Sequence, residues 1–579
     1  MTEERRNFIL FAVIAAVILL SWQWAIHRYA PANPPATQIV DGRSRPVASP
    51  AADPTADSPA ATRTRAQVLA ATAGERVRID TPALSGSINL RGARIDDLVL
   101  KRHRETIASD SPPIRLFSPD GAPQASFAQL GWRGGPGPET LWRASSTVLA
   151  PGRPVTLFAV NSAGQRFRIE LAIDDDYLFT VRQTVANASA AAVQVAPNAS
   201  IVRVGVAKDL SSWQSHVGPI GVFGSGANYD IDYKNLQGNE PGIFSRIFGT
   251  TAKPGDNLFA ARGGWVGFTD KYWLTALVPA ATAQVQSGFR ATTTDRFTGG
   301  FTLADAQLPP GKALISTARL FAGAKETRLL DRYAAAGVTQ LDYAIDWGWF
   351  RVVEKPIFYY LDWLFRVVGN FGVAIILLTV TIRALMFPVA QRQFASMAKM
   401  RVVQPKMKAV QERWKDDKER MQKEVIALYK TEGANPVAGC LPTLLQIPIF
   451  YALYKVLSLT IEMRHQPFVA WIKDLSAPDP LTPINLFGLL PFTPPGMLHL
   501  GVLAILLGGT MWAQFRLNPA APDPATQQVM GIMPWVMMLF FAPLAAGLQL
   551  YYVMSNLISI GQQRLLYRRH PQLKEAPAK

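Results

Sequence analysis

Cysteine is almost absent from this 579-residue chain: Cys440 stands alone, so no internal disulfide can form. Charge is scarce as well. Asp, Glu, Lys and Arg make up 17% of residues against 49% hydrophobic, which is less charged and more apolar than an ordinary soluble protein. The patterns that carry catalysis or energy conversion are also missing: there is no histidine cluster, no G-x-S-x-G and no paired metal-ligand spacing. Gly311-Lys312 lacks the rest of the phosphate-loop motif G-x-x-x-x-G-K-[ST]. No enzyme chemistry, metal or cofactor is therefore expected, and any work must be driven by binding free energy, the membrane potential or a partner. Internal repeats, common in secondary transporters, are not found.

The residues that are present divide the chain. Long apolar runs sit at the extreme N-terminus and after about residue 365, while the middle reads as ordinary soluble protein. Arg5 and Arg6 precede the apolar run Phe8–Ile26, which has the ~20 residues needed to span a bilayer. The run ends in Trp22, Trp24 and Tyr29, interfacial aromatics rather than a small-x-small cleavage site. Residues 1–29 are thus predicted to be an uncleaved anchor with a cytoplasmic N-terminus, and the chain beyond the anchor is predicted to be exported. Residues 30–65, rich in Pro, Ala, Ser and Thr, bury too little to fold and read as a flexible tether.

From 66 to 335 the apolar period is two. Phe167, Ile169, Leu171 and Ile173 alternate with polar or small residues, Asp174-Asp175-Asp176 comes next, and alternation resumes through Phe179, Val181, Gln183 and Val185. Many short strands between Gly/Pro/Asn turns predict a large antiparallel β-sandwich. The aspartate run fits a hairpin turn better than a metal site.

Residues 343–365 interleave Trp347, Phe358, Tyr359, Tyr360 and Trp363 with Arg351, Glu354, Lys355 and Asp362, the pattern of an amphipathic helix in the membrane interface or of an aromatic packing helix. A span is predicted at 369–390. It holds Thr379 and Arg383, and an arginine within a span costs ~2.5–3.5 kcal/mol on insertion scales, so it should face the bundle interior or water. Residues 391–434 read as a helical hairpin whose first helix is interrupted by Pro405, with the boundary between its helices at Asp416-Asp417; eleven Lys and Arg between 391 and 431 place it in the cytoplasm. Further spans are predicted at 440–461, 497–516, 528–542 and 547–567, with an exported loop at 462–496 and a short basic tail at 568–579. The 528–542 segment is short for a span, and Pro543 and Gly547 argue for two helices and a tight turn. Six spans with both termini cytoplasmic satisfy the charge cues, and the net charge of +17 comes from that bias rather than from DNA binding.

Three stretches carry a family resemblance. They are Ser396-Met397-Ala398-Lys399-Met400-Arg401 with Gln404-Pro405-Lys406; Asn435-Pro436, Gly439-Cys440-Leu441-Pro442 and Gln446-Ile447-Pro448-Ile449-Phe450; and Tyr551-Tyr552 with Ser555-Asn556. Together they resemble the signature of YidC-type membrane protein insertases of the Gram-negative kind, over about residues 343–569. The resemblance implies a polytopic helical inner-membrane protein with a five-helix core and a periplasmic β-sandwich. It implies a hydrophilic groove, open to cytoplasm and lipid, built on Arg383, Thr379 and Tyr552, and a hydrophobic slide from Ile447, Phe450, Met533 and Phe540. A docking hairpin with Lys399, Arg401 and Lys406 is implied too. The implied partners are nascent membrane proteins, the Sec translocon, the ribosome and signal recognition particle, and the phospholipid bilayer. The short tail, with Glu575 between Lys574 and Lys579, departs from the long basic tail of many members and weakens the case for ribosome docking through it. The competing readings are a small-anion transporter and a membrane-anchored β-domain enzyme.

Overall fold

The computed structural model divides into two compact units, 1–346 and 347–579. It describes residues 37–40, 43–46, 63–207, 215–224, 226–239, 254–415, 417–432, 441–490, 500–517 and 524–569. The expected anchor (1–29), the Asn435–Cys440 motif and the end of the tail lie outside the described residues.

Within the stretch read as a flexible tether, Thr37–Val40 pairs antiparallel with Arg43–Pro46, and Arg65 already opens helix α1, Arg65–Ala71. Thr64 supplies the reason: its hydroxyl accepts from the Gln67 N–H while the Gln67 side chain accepts from the Thr64 N–H, a reciprocal cap.

The β unit has two large sheets, antiparallel except where Arg76–Asp80 runs parallel to Val148–Leu149. In one, the central strands run Trp273–Pro279, Ala313–Ala324, Leu178–Ala186, Arg166–Ile173 and Val155–Val160 in space. The other is centred on Arg296–Leu303, Val193–Val204, Ser126–Arg133 and Arg94–Arg104. Period-two alternation decides which side chains meet between them: Phe167, Ile169, Leu171, Phe179, Val181 and Val185 are buried, and their neighbours in sequence face out. Gln183 is the polar exception on the inner face. It is buried, and its Nε2–H donates 2.7 Å to the carbonyl of Gly131 in the opposite sheet. Gln183→Leu keeps the volume and strands that carbonyl, so it should destabilise the unit by about 1–3 kcal/mol in denaturant unfolding.

The aspartate run is a hairpin turn between Arg166–Ile173 and Leu178–Ala186. Asp174 Oδ1 accepts from the N–H groups of Asp176 and Leu178, both at 3.0 Å, and Oδ2 accepts from the Tyr333 hydroxyl at 2.5 Å. Asp176 holds Arg102 and Arg332. The turn thereby fastens helix α2, Thr327–Ala335, to the sheet end.

His216 gives this unit a pH dependence. Its Nε2–H donates 2.7 Å to Pro219 O, and its ring meets Tyr229 edge-on at 5.8 Å. Burial disfavours the imidazolium and lowers the pKa below 6.5; the Pro219 bond opposes this more weakly. The unfolded chain thus binds the proton more readily than the folded one, so stability falls as pH drops from about 6.5 through the folded value. Melting between pH 7.5 and 5 should show this loss, and His216→Gln should flatten it.

The helical unit exposes large apolar side chains and buries several polar ones within a mainly apolar interior. Outward-facing apolar side chains include Val352 (84% exposed), Leu385 (70%) and Val367 (65%), while Glu354, Asp362, Lys455, Gln549 and Ser555 are buried. An apolar exterior with the few polar groups turned inward is the arrangement lipid favours. Helix α3 spans Arg351–Val368, with 3₁₀ turns before it where the sequence pattern suggested one continuous helix from 343. Helix α4, Phe371–Leu385, bends by 51° into α5, Phe387–Arg413, so the span expected to run straight to 390 breaks at Met386. Pro388 is the cause: it offers no N–H to Ala384 O, and its ring crowds that turn. Pro405, expected to interrupt the hairpin, instead lies inside α5. Helix α6, Lys418–Thr431, starts at Asp417, whose carboxylate accepts from Arg420 N–H at 3.0 Å. The two arms pair antiparallel: the Tyr429 hydroxyl meets Met407 Sδ at 3.0 Å, and Lys406 Nζ lies 2.6 Å from Glu432.

Helices α7, Leu441–Leu459; α8, Val502–Leu517; α9, Pro524–Phe541; and α10, Ala546–Arg569, complete the unit. Helix α9 is 18 residues long and begins before the expected 528, since proline is well suited to the first helical position. The tight turn to α10 is held by Gln549, whose amide donates to the carbonyls of Phe541, Ala542 and Leu544 at 3.1, 3.2 and 2.8 Å. Among the described residues no single helix is both long and apolar enough to cross a membrane; α4 with the start of α5 reaches that length as a bent pair.

Candidate functional site

The loop 460–490 closes one end of this bundle by binding helix N-termini. Asn370 caps α4, accepting from Val373 N–H at 3.1 Å, while its amide donates to Phe468 O at 3.0 Å. The Phe468 ring lies where a Cβ on Gly372 would project, 2.0 Å away. The first N–H groups of α10 donate to loop carbonyls, Ala546 to Ala477 O at 2.8 Å and Gly547 to Leu475 O at 2.9 Å. Asp479, fully buried, accepts from Leu503 N–H in the first turn of α8 at 2.8 Å. The bonds from Val373, Leu503, Ala546 and Gly547 satisfy backbone donors that a helix start leaves without partners.

Arg383 sits 12 residues along α4 from Phe371, roughly 18 Å at 1.5 Å per residue. Its Nε–H donates 2.9 Å to Ser555 Oγ on α10, and Nη2 donates to the same oxygen. Gln562, two turns further along α10, donates from Nε2 to the Arg383 carbonyl at 3.2 Å. That carbonyl lies in the last turn before the Met386 break, where the helix supplies no partner of its own. Side chain and backbone of Arg383 are thus both held by α10, and through neutral groups. Among the described residues no carboxylate pairs with it, and its bonds to Ser555 use two of the guanidinium's five N–H donors.

The polar line continues within the bundle. Gln446 on α7 donates from Nε2 to the Tyr551 hydroxyl at 2.7 Å, and Asn556 donates from Nδ2 to Thr510 Oγ1 on α8 at 3.2 Å. Thr379, one turn before Arg383, is fully buried and donates its hydroxyl to Ile375 O at 2.6 Å on its own helix. Tyr552 is half-buried and lies among rings rather than polar groups, with Phe541 at 4.5 Å and Phe450 at 5.3 Å, both edge-on. Phe450 in turn meets Phe541 at 5.8 Å. On α9, Phe540 (42%) is exposed, as are Trp535 (49%) and Leu539 (48%), and Met533 is half-buried. The side chains of Ile447, Lys399 and Arg401 lie outside the described residues.

The sequence alone does not single out Ser555 and Gln562 as the groups that hold Arg383, nor Gln446 and Asp479. Ser555 could have been found, because it stands three residues after Tyr552 and four after Tyr551 and so shares a helix face with them. Asp479 leaves no such trace, since two of its partners are backbone N–H groups and another, the Trp471 indole, is fixed only by how the loop folds.

The family described as 60Kd inner membrane protein matches residues 363–574, and the family described as YidC periplasmic domain matches residues 76–360. The chain is 46% identical to the Membrane protein insertase YidC of Zymomonas mobilis, covering 99% of this chain and 97% of that one. It is 41% identical to the protein of the same name from Methylorubrum extorquens and 39% identical to that from Rhizobium meliloti, covering in each case 98% of this chain and 96% of the relative. The chain belongs to the YidC family of membrane protein insertases. It is a non-enzymatic insertase of the inner membrane that acts on nascent membrane proteins, and it has a β-rich periplasmic domain and a helical C-terminal region. The transporter and anchored-enzyme readings fall away.

Proposed function

We propose that the insertase draws the polar end of a nascent membrane protein toward Arg383, in a hydrophilic groove with Thr379 and Tyr552, open to cytoplasm and lipid. The observation that carries this reading is the arginine's neutral anchoring, which leaves its charge for a substrate carboxylate. Phe450, Phe540, Met533 and Ile447 form the apolar path along which the substrate's hydrophobic segment leaves. The chain crosses the inner membrane six times with both termini in the cytoplasm. In this reading the segments are an anchor at 1–29, a tether at 30–65, a periplasmic domain at 66–335 and an interfacial segment at 343–365 that is helical from Arg351. The remaining spans are 369–390, 440–461, 497–516, 528–542 and 547–567. The hairpin at 391–434, with Lys399, Arg401 and Lys406, receives the ribosome and signal recognition particle. The β domain contacts the Sec translocon. Depleting the insertase and tracking a single-span protein with a short acidic exported tail tests the reading: insertion should fail, and normal insertion would sink it.

A further inference from the structure

The outer face of the sheet that contains Arg166–Ile173 is neither the usual mixed-charge surface of a soluble domain nor part of the groove proposed above. Antiparallel register places Arg143, Phe158, Arg168, Thr184 and Ile315 in one row across five strands. The next outward row brings Val160 beside Arg166, and the row on the other side brings Glu170 beside Arg182. Phe158, Val160 and Ile315 are exposed at 44%, 65% and 51%. Glu170 is the one carboxylate among the outward positions of the strands Val155–Val160, Arg166–Ile173, Leu178–Ala186 and Ala313–Ala324. It is shared by Arg168 at 3.3 Å and Arg182 at 3.7 Å. Arg143, Arg166, Arg168, Arg182 and Arg319 therefore oppose a single negative charge on a broad, regular face.

We infer that this face is a docking surface for the anionic phospholipid headgroups of the membrane in which the chain is anchored. The chemistry selects the occupant. Arginines bind phosphate oxygens through a planar fork, apolar side chains set between them enter the headgroup boundary, and each basic side chain near an anionic leaflet adds to the attraction. A sandwich strand normally alternates apolar inside with polar outside; Phe158, Val160 and Ile315 break that rule on the same face as the excess charge. Tethering to a membrane-inserted unit of the same chain keeps the local lipid concentration high, so modest intrinsic affinity suffices.

The test uses the full chain with Cys440→Ser and a single new cysteine at Thr184, labelled with a polarity-sensitive fluorophore, in nanodiscs of phosphatidylcholine alone or with phosphatidylglycerol. Quenching by headgroup-labelled lipid should be several-fold stronger in the anionic discs and should fall as salt rises. It should drop to the neutral-disc level in Arg166→Glu/Arg168→Glu/Arg182→Glu, while the triple lysine variant retains most of it. Melting curves of both variants should match the parent, since these side chains are on the outer surface. Equal quenching in the two disc types would overturn the inference. So would indifference to the charge reversal, or shielding of the label only when a soluble protein is added, which would assign the face to a protein partner.

Discussion

Arg383→Ala should lower insertion of substrates with short acidic exported tails by roughly 10- to 100-fold, equivalent to about 1.5–3 kcal/mol for one charge-assisted hydrogen bond. An arginine in an apolar bundle is retained against its own desolvation, and here its immediate partners are a serine hydroxyl and a glutamine amide, which satisfy geometry without neutralising charge. Arg383→Lys keeps the charge and should restore most of the activity, although a lysine cannot reproduce the paired approach of Nε and Nη2 to Ser555. Ser555→Ala provides the control: it loosens the arginine without removing its charge, so its effect should be smaller than that of Arg383→Ala. Pulse labelling with protease accessibility of the exported tail measures all three. Wild-type insertion of every dependent substrate by Arg383→Ala would refute the assignment.

Asp479→Ala should be the most destabilising single change in the helical unit, by about 3–5 kcal/mol. The carboxylate is fully buried and accepts from Trp471 Nε1 at 2.9 Å, Leu481 N at 3.0 Å and Leu503 N at 2.8 Å. Truncation leaves buried donors from the loop and from the start of α8 without a partner, and each such group costs about 1–3 kcal/mol. Asp479→Asn retains one acceptor oxygen and should fall between wild type and alanine. Space is equally tight on the other side, since a Cβ on Gly501 would come within 2.6 Å of the Asp479 Cβ. Gly501→Ala is therefore expected to destabilise as well. Thermal unfolding in detergent, monitored by tryptophan fluorescence, gives the order directly. An unchanged midpoint for Asp479→Ala would show that the loop does not hold the helix starts together.

The alternation at 167–173 and 179–185 is readable residue by residue, because a strand's side chains change face at every step and the apolar ones must turn inward. The Asp174 turn and the long motifs from Ser396 to Asn556 are equally legible, the first from local chain geometry and the second from their length. The misleading signals are local too. Pro405 looks like a helix breaker and lies within α5, whereas Pro388, inconspicuous in an apolar run, coincides with a 51° bend.

By itself the sequence determined the class of this protein: an apolar helical part, a period-two β part, and one arginine where charge is expensive. Only the tertiary structure decided what that arginine touches. Ser555 and Gln562 stand 172 and 179 residues away along the chain. The packing of α10 against α4 brings them within hydrogen-bond distance. Asp479 was decided the same way, because two of its partners are backbone N–H groups that almost every residue carries, and the fold alone selects which donors a buried carboxylate will meet.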